Sequence, residues 1–93
     1  MDMKLGIDDI VVESVEFNDA TGYIVVKGQN FTTFSMILID DTRTDTTYID
    51  DETLIVVPEG TATKPEPGTV FEVAQIDKDK HELTRSNAVT FQD

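Results

Sequence analysis

One third of this chain is β-branched, and that fraction limits its fold more than any other property of the sequence. The 93 residues include 10 Val, 8 Ile and 13 Thr, but only 4 Leu. β-branched side chains lose χ1 freedom in helices and pack well on a pleated sheet. No segment carries an apolar stripe of helical period with caps. We therefore expect one all-β domain with a single sandwich core, since a chain of this length is one domain.

Seven segments have the composition of strands, and turn-forming residues separate most of them. They are residues 10–17, 23–28, 35–39, 46–49, 53–57, 68–76 and 83–92. Residues 40–45 and 59–67 are predicted to be loops, and the charged run 77–82 is predicted to be a solvated hairpin tip. Residues 1–9 read as an N-terminal tail or linker, and residues 10–93 as a single domain. The spacing is typical of a β-sandwich of about seven strands.

Alternation along these strands predicts which side chains face the core. The expected core comprises Ile24, Val26, Ile37, Ile39, Ile55, Val57, Phe71, Val73, Val89 and Phe91. A one-residue slip on the third and fifth strands would instead turn Leu38, Leu54 and Val56 inward. Gly28 is expected to form a bulge at the end of the second strand. Phe31 is expected to seal one end of the sandwich with Phe91, while Asn30 and Asn87 bind nearby loop backbone.

The charge balance excludes several partners. Seven Lys and Arg against 19 Asp and Glu give a net charge of −12, which opposes binding to nucleic-acid phosphates and to anionic membranes. The chain has no Cys and one His, so thiol chemistry and a multi-His metal site within it are excluded. No apolar run reaches the length of a membrane span or a signal peptide. The missing signal peptide suits an excised domain better than a full-length chain.

Four groups of residues merit consideration as sites. Asp40, Asp41 and Asp45, and likewise Asp50, Asp51 and Glu52, offer the oxygen ligands that Ca²⁺ prefers but lack the spacing of a calcium loop. Asp77, Asp79, His81 and Glu82 combine an imidazole with carboxylates, which suits acid–base or metal chemistry. Asn30–Thr32 matches a glycosylation sequon. Tyr23, Phe34 and Tyr48 would make a carbohydrate platform if they were exposed together.

Each group also has an ordinary structural interpretation, which we favour. Acidic side chains on strand edges keep a sandwich monomeric. Lys78 and Lys80 interleave with the acids around His81, as in an alternating-charge hairpin tip, and aromatic residues more often pack in cores or edges. No Gly-x-Ser-x-Gly turn accompanies the single His. We therefore predict no catalytic residue, no metal site and no cofactor.

Four segments, in order, resemble the strands of IPT/TIG immunoglobulin-like domains. They are residues 22–31 (GYIVVKGQNF), 53–58 (TLIVVP), 68–73 (GTVFEV) and 86–91 (SNAVTF). The resemblance covers about 80 residues, from Ile10 to Phe91. The chain departs from the family at Phe17–Asn18, where Pro is frequent, and at Asp40–Asp41, where a Gly-Gly-like turn is frequent. The run 45–54 and the segments around Gln75 and Arg85 further resemble modules appended to bacterial cell-envelope enzymes.

This resemblance implies a non-catalytic accessory module, a spacer or an interaction surface, within a larger bacterial extracytoplasmic or cell-envelope protein. The implied partners are adjacent domains of that protein or a glycan, with a membrane reached only through the parent. No catalytic residue is carried over, because in such proteins the chemistry lies in another domain. Two alternatives stay open: a carbohydrate-binding module, and the dimerisation or DNA-binding role of TIG domains in some transcription factors, whose DNA half the charge opposes.

Overall fold

The computed structural model describes residues 9–57 and 64–92, and all of their regular structure is β. The strands are β1 (Val11–Phe17), β2 (Ile24–Gln29), β3 (Ser35–Ile39), β4 (Thr42–Arg43), β5 (Thr46–Asp50), β6 (Thr53–Val56), β7 (Val70–Ile76), β8 (Glu82–Arg85) and β9 (Val89–Thr90). One antiparallel sheet has the order β1-β2-β6-β5. The other has the order β4-β3-β7-β8, and β9 also pairs with β7. The expected all-β architecture of two sheets is confirmed.

The predicted loop at residues 40–45 contains a short strand. Ile39 pairs with Thr42, so Asp40 and Asp41 alone make the turn between β3 and β4. Both have positive φ, at 49° and 68°, which is the conformation of a two-residue hairpin turn. Asp tolerates this conformation less readily than Gly or Asn, and a pair of Asp residues therefore did not signal a tight turn. This extra hairpin adds β4 to the expected strands.

Other strand boundaries differ because the chain turns where the sequence suggested extension. The predicted strand 83–92 divides into β8 and β9, which are separated at residues 86–88. The predicted strand 68–76 begins at Val70, since Gly68 has a φ of 91° and lies in a turn. Most of the predicted loop 59–67 and nearly all of the predicted tail 1–9 lie outside the described residues.

The core lies between the two sheets. Its fully buried members include Val26 and Leu54 from the first sheet and Ile37, Phe71 and Val73 from the second. Ile10, Val12, Phe31 and Phe91 complete the buried cluster, while Val15, Phe17, Ile24, Ile39, Val56 and Val89 pack against it. Phe31 and Phe91 are buried as predicted. Leu38 is also buried, although its neighbour Ile37 occupies the core, so β3 is covered on both faces.

The prediction for the fifth strand was wrong by one residue. Val57 is 41% exposed, Ile55 is only half-buried, and Leu54 and Val56 face the core instead. The register explains this: Val26 pairs with Leu54 and Ile24 with Val56, and directly opposed residues share a face. The five residues 53–57 all lack charge, so the sequence showed no alternation of polar and apolar side chains that would identify the core-facing side.

The bulge expected at Gly28 lies across the ladder, in β1. Val12 pairs with Gly28 and Ser14 with Lys27, which leaves Glu13 as the extra residue. This insertion lets both Val12 and Val15 point inward, against simple alternation. A Cβ at Gly28 would overlap the carbonyl oxygen of Val11 and lie 2.6 Å from Cζ of Phe31. The glycine therefore permits the close approach of β1 and of the buried Phe31 ring.

Candidate functional site

The group that best combines acid–base and metal-ligating side chains is the hairpin tip between β7 and β8. Asp77, Asp79 and His81 present ligand atoms that all lie within 4.8 Å of one another. The five-residue tip is closed by backbone bonds from Asp77 N to His81 O (3.0 Å) and from Lys80 N to Asp77 O (2.9 Å). Lys80 has a φ of 66°. The chain thus turns sharply enough to bring His81 back beside Asp77.

The Asp77 carboxylate is the centre of this turn. Its Oδ1 accepts hydrogen bonds from the backbone N–H groups of Asp79 (2.8 Å) and His81 (2.9 Å). Its Oδ2 lies 3.3 Å from Nδ1 of His81. The backbone hydrogen bond from His81 lowers the pKa of Asp77 below its ordinary value, partial burial opposes that shift, and the bond from Asp79 reinforces it. One carboxylate oxygen is therefore already committed to the fold of the tip.

The tip is open to solvent. The side chain of His81 is 77% exposed and that of Asp77 is 33% exposed. A carboxylate beside an imidazole can move a proton or contribute ligands to a cation. Strong shifts of the kind that prepare a general acid or base usually need a desolvated cleft. The geometry at the tip supplies three ligand groups around a stable turn, on a convex surface.

Glu82, which the sequence grouped with His81, belongs to a different cluster. Its carboxylate accepts two hydrogen bonds from Arg85, from Nη2 at 2.7 Å and from Nε at 3.2 Å. Nη1 of Arg85 donates to Asp41 at 2.6 Å and lies 3.5 Å from Oε1 of Glu72. The hydrogen bonds that Arg85 donates to Glu82, and then to Asp41, raise the pKa of Arg85 above its ordinary value. One guanidinium thus ties β8 to β7 and to the β3–β4 turn.

Sequence reasoning did not single out Arg85. Its partners are 3, 13 and 44 residues away, at Glu82, Glu72 and Asp41. They converge because β8, β7 and β3 are neighbours and because the two-residue turn places Asp41 at their end. In a chain with 19 acids, no local spacing marks the three that surround one Arg. Only the strand order reveals this cluster.

The two acidic clusters that were considered for Ca²⁺ are used at turns. Oδ1 of Asp40 accepts the backbone N–H of Val70 at 2.9 Å, and Oδ1 of Asp50 accepts that of Glu52 at 2.9 Å. Asp41 pairs with Arg85. Across residues 9–57 and 64–92, neither cluster brings three ligand groups together. Asp40, Asp41 and Asp50 therefore each bind a partner within the protein, whereas the side chains of Asp45, Asp51 and Glu52 are exposed.

The three candidate aromatic residues lie apart. Phe34 precedes β3 in the second sheet and is 49% exposed. Tyr23 precedes β2, whereas Tyr48 lies on β5, at the edge of the same sheet and separated from β2 by β6. Tyr48 is 38% exposed. The structure therefore places no continuous aromatic row across these three residues.

Several polar side chains join distant parts of the backbone. The Asn87 amide donates to the carbonyl oxygen of Val12 at 3.0 Å and accepts from its N–H at 2.9 Å. These two hydrogen bonds to the backbone of Val12 connect β1 of the first sheet to the segment between β8 and β9. In the sequon, Asn30 donates to the carbonyl oxygen of Asp9, and Thr32 bonds Gln75. Asn30 binds loop backbone as predicted, whereas Asn87 binds the backbone of strand β1 rather than that of a loop.

A shallow depression of about 340 Å³ lies beside the end of β1. Val15, Glu16, Phe17, Lys64, Phe91 and Gln92 line it. Phe91 is buried, and Val15 and Phe17 pack against the core, so the apolar part of this lining belongs to the sandwich interior. Lys64 and Glu16 lie at its exposed rim. The depression brings together no pair of chemically reactive groups comparable to Asp77 and His81.

No helix among the described residues has the length and apolarity to cross a membrane. No protein-family model, no curated protein and no solved structure matches the chain.

Proposed function

We propose that this chain is a non-catalytic accessory module of the IPT/TIG immunoglobulin-like type, carried by a larger bacterial extracytoplasmic or cell-envelope protein. The motif resemblance of residues 22–31, 53–58, 68–73 and 86–91 is one support. The strand order is a second, independent support. Immunoglobulin-like sandwiches place strands A, B, E and D in one sheet and C, F and G in the other, with C′ added beside C in some members.

The observed orders fit that scheme when the strands are assigned in chain sequence. β1-β2-β6-β5 corresponds to A-B-E-D, and β4-β3-β7-β8 corresponds to C′-C-F-G. The β9 strand continues the last strand along β7. The Asn87 bridge to Val12 adds a contact between the first and last strands of the domain. Because the strand order follows from which strands pair, and not from the sequence motifs, it supports the immunoglobulin-like proposal independently of the resemblance.

The use of polar side chains supports a non-catalytic role. Asp40, Asp50 and Asp77 each accept backbone N–H groups at turns. Asn30 and Asn87 bind backbone groups as well. Within the described part of the chain, no buried side-chain nitrogen or oxygen lacks a hydrogen-bond partner. The observation that carries the proposal is this use of the Asp40, Asp50 and Asp77 carboxylates to bind the backbone of the sandwich.

The flanking sequence of the open reading frame tests the accessory role. We expect residues 1–93 to adjoin at least one further domain, together with an export signal or envelope anchor. A reading frame that began at Met1 and ended at Asp93 would contradict this part of the proposal. Binding of the purified chain to a glycan array tests the carbohydrate-binding alternative. A specific hit that is lost on replacing Phe34 or Tyr48 with Ala would favour that alternative over a spacer.

A further inference from the structure

The edge of β5 has the properties of a docking site for an extended segment of another protein. β5 (Thr46–Asp50) is the last strand of its sheet and pairs on one side with β6. An edge strand turns the N–H and C=O groups of alternate residues outward, where another strand can pair with them. Within the described residues, no further strand pairs with this side of β5. We call this side the β5 edge.

The β5 edge is open over the second half of the strand. At its start, Oγ1 of Thr46 accepts the N–H of Ile37 at 2.8 Å, so the chain there passes against β3. Beyond Thr46 every residue of the strand is exposed. Tyr48 and Ile49 are 38% and 52% exposed, and the bulge between Tyr48 and Asp50 turns Ile49 outward. An incoming strand would thus find backbone groups from Thr47 onward and two large apolar side chains.

The charge around the β5 edge selects one class of partner. Residues 44–57 contain four acids and no Lys, Arg or His. The side chains of Asp45, Asp51 and Glu52 are exposed, and among the described residues they make no hydrogen bond or ion pair. Because both copies would carry a net charge of −12, pairing of two such edges is opposed by repulsion. A segment with basic side chains would instead be attracted.

The edge strands of the other sheet, β4 and β8, have a different character, and β4 has only two residues, Thr42 and Arg43. β8 (Glu82–Arg85) carries Glu82 and Arg85, which bind one another across the end of the strand. The charges of Glu82 and Arg85 therefore neutralise one another, and the β8 edge does not present charge of a single sign. The outer side of β1 is bridged to Asn87 through Val12. The combination of an unpaired edge, exposed apolar residues and uncompensated acids is found at β5.

We propose that the β5 edge binds a basic, extended segment of a partner protein by strand addition. Main-chain hydrogen bonds would provide the attachment, while Ile49 and the free carboxylates would select apolar and basic side chains. This inference deepens the proposed accessory role by naming the interacting surface. The docking proposal can be refuted without refuting the accessory role, because a spacer without a docking edge would still be non-catalytic.

The test is a titration of the ¹⁵N-labelled chain with a blocked peptide of alternating valine and lysine, about eight residues long. We expect the largest amide shifts in Thr46–Asp50 and weaker binding as salt is added. A triple variant with Asp45→Asn, Asp51→Asn and Glu52→Gln should weaken binding about tenfold. The matched control, Glu16→Gln with Asp19→Asn and Glu66→Gln, removes three exposed charges far from β5 and should bind as the wild type does.

A second peptide separates strand addition from general charge attraction. N-methylation of every second residue removes the backbone donors that strand addition needs and leaves the lysine charges unchanged. Because either set of alternate residues could face β5, both methylation patterns are tested. We expect one pattern to abolish the shifts in β5. No binding of the unmodified peptide, shifts centred outside β5, equal losses in both triple variants, or undiminished binding of both methylated peptides would overturn the proposal. Self-association through β5 at high protein concentration would overturn the choice of a basic partner.

Discussion

Replacement of Asn87 tests how the two sheets are joined. The Asn87 amide makes two hydrogen bonds to one residue, Val12, whose side chain is buried in the core. A neutral hydrogen bond contributes about 1 kcal/mol to folding, and an unsatisfied buried group costs about 1–3 kcal/mol. Because this site is only partly buried, water replaces part of each lost bond. We expect Asn87→Ala to lower the free energy of unfolding by about 1–2 kcal/mol, measured by urea denaturation.

The Asn87→Asp variant separates the two bonds. Its carboxylate still accepts the N–H of Val12, but at neutral pH it cannot donate to the Val12 carbonyl and repels it. Protonation would restore a donor, so the folded pKa of this new Asp should be raised, and its relative stability should increase as pH falls through that pKa. The deficit of Asn87→Asp relative to Asn87→Ala should therefore shrink in acid.

Hydrogen exchange at the Val12 amide provides a local measurement alongside the global one. We expect faster exchange there in Asn87→Ala. As a control, Gln92→Ala removes another amide, one that bonds only Thr90 at an exposed site, and it should change stability by less than about 0.5 kcal/mol. If Asn87→Ala matches this control and leaves Val12 exchange unchanged, the bridge does not join the sheets in solution.

Four further predictions follow from named features. Phe91→Ala should cost about 3–5 kcal/mol in denaturation, because the ring is buried, whereas the exposed Phe34→Ala should cost far less. Gly28→Ala should cost about 1–3 kcal/mol, because its Cβ meets the Val11 carbonyl and the Phe31 ring; an unchanged stability would mean that β1 can move away. The pKa of Asp77, measured by carboxyl NMR, should lie below 3.8. Because the pKa is lower in the folded state, the stability that it adds is present above 3.8 and is lost as the pH falls through the folded value. Asp77→Asn should remove this acid dependence. Added NaCl, up to about 0.5 M, should raise the melting temperature by screening the net charge of −12, and a flat or falling series would mean that the acids are locally compensated.

The sequence predicted those parts of the fold that depend on local composition. Strand-forming residues identified most strands, and large aromatic residues at strand ends identified Phe31 and Phe91 as buried. The core-facing side of β6 was predicted wrongly, because a run of uncharged residues shows no alternation of polar and apolar side chains. The β3–β4 hairpin was missed because Asp40 and Asp41 adopt positive φ without a glycine.

The candidate site shows the same limit. The grouping of Asp77, Asp79 and His81 was visible because a single turn brings them together. The assignment of Glu82 to that group was wrong because Arg85 competes for it across a different contact. Partners such as Arg85 with Asp41, or Asn87 with Val12, are 44 and 75 residues apart. Such pairs depend on strand order and register, which composition does not specify.

The most direct test of the account is an activity screen of the purified chain beside its His81→Ala variant. We infer that Asp77 and His81 stabilise a turn, and we propose that the module performs no chemistry of its own. We therefore expect no hydrolase, transferase or redox turnover above buffer for either protein, with and without added divalent cations. Turnover by the wild type that is lost in His81→Ala, while the variant keeps its fold by circular dichroism, would contradict the proposal.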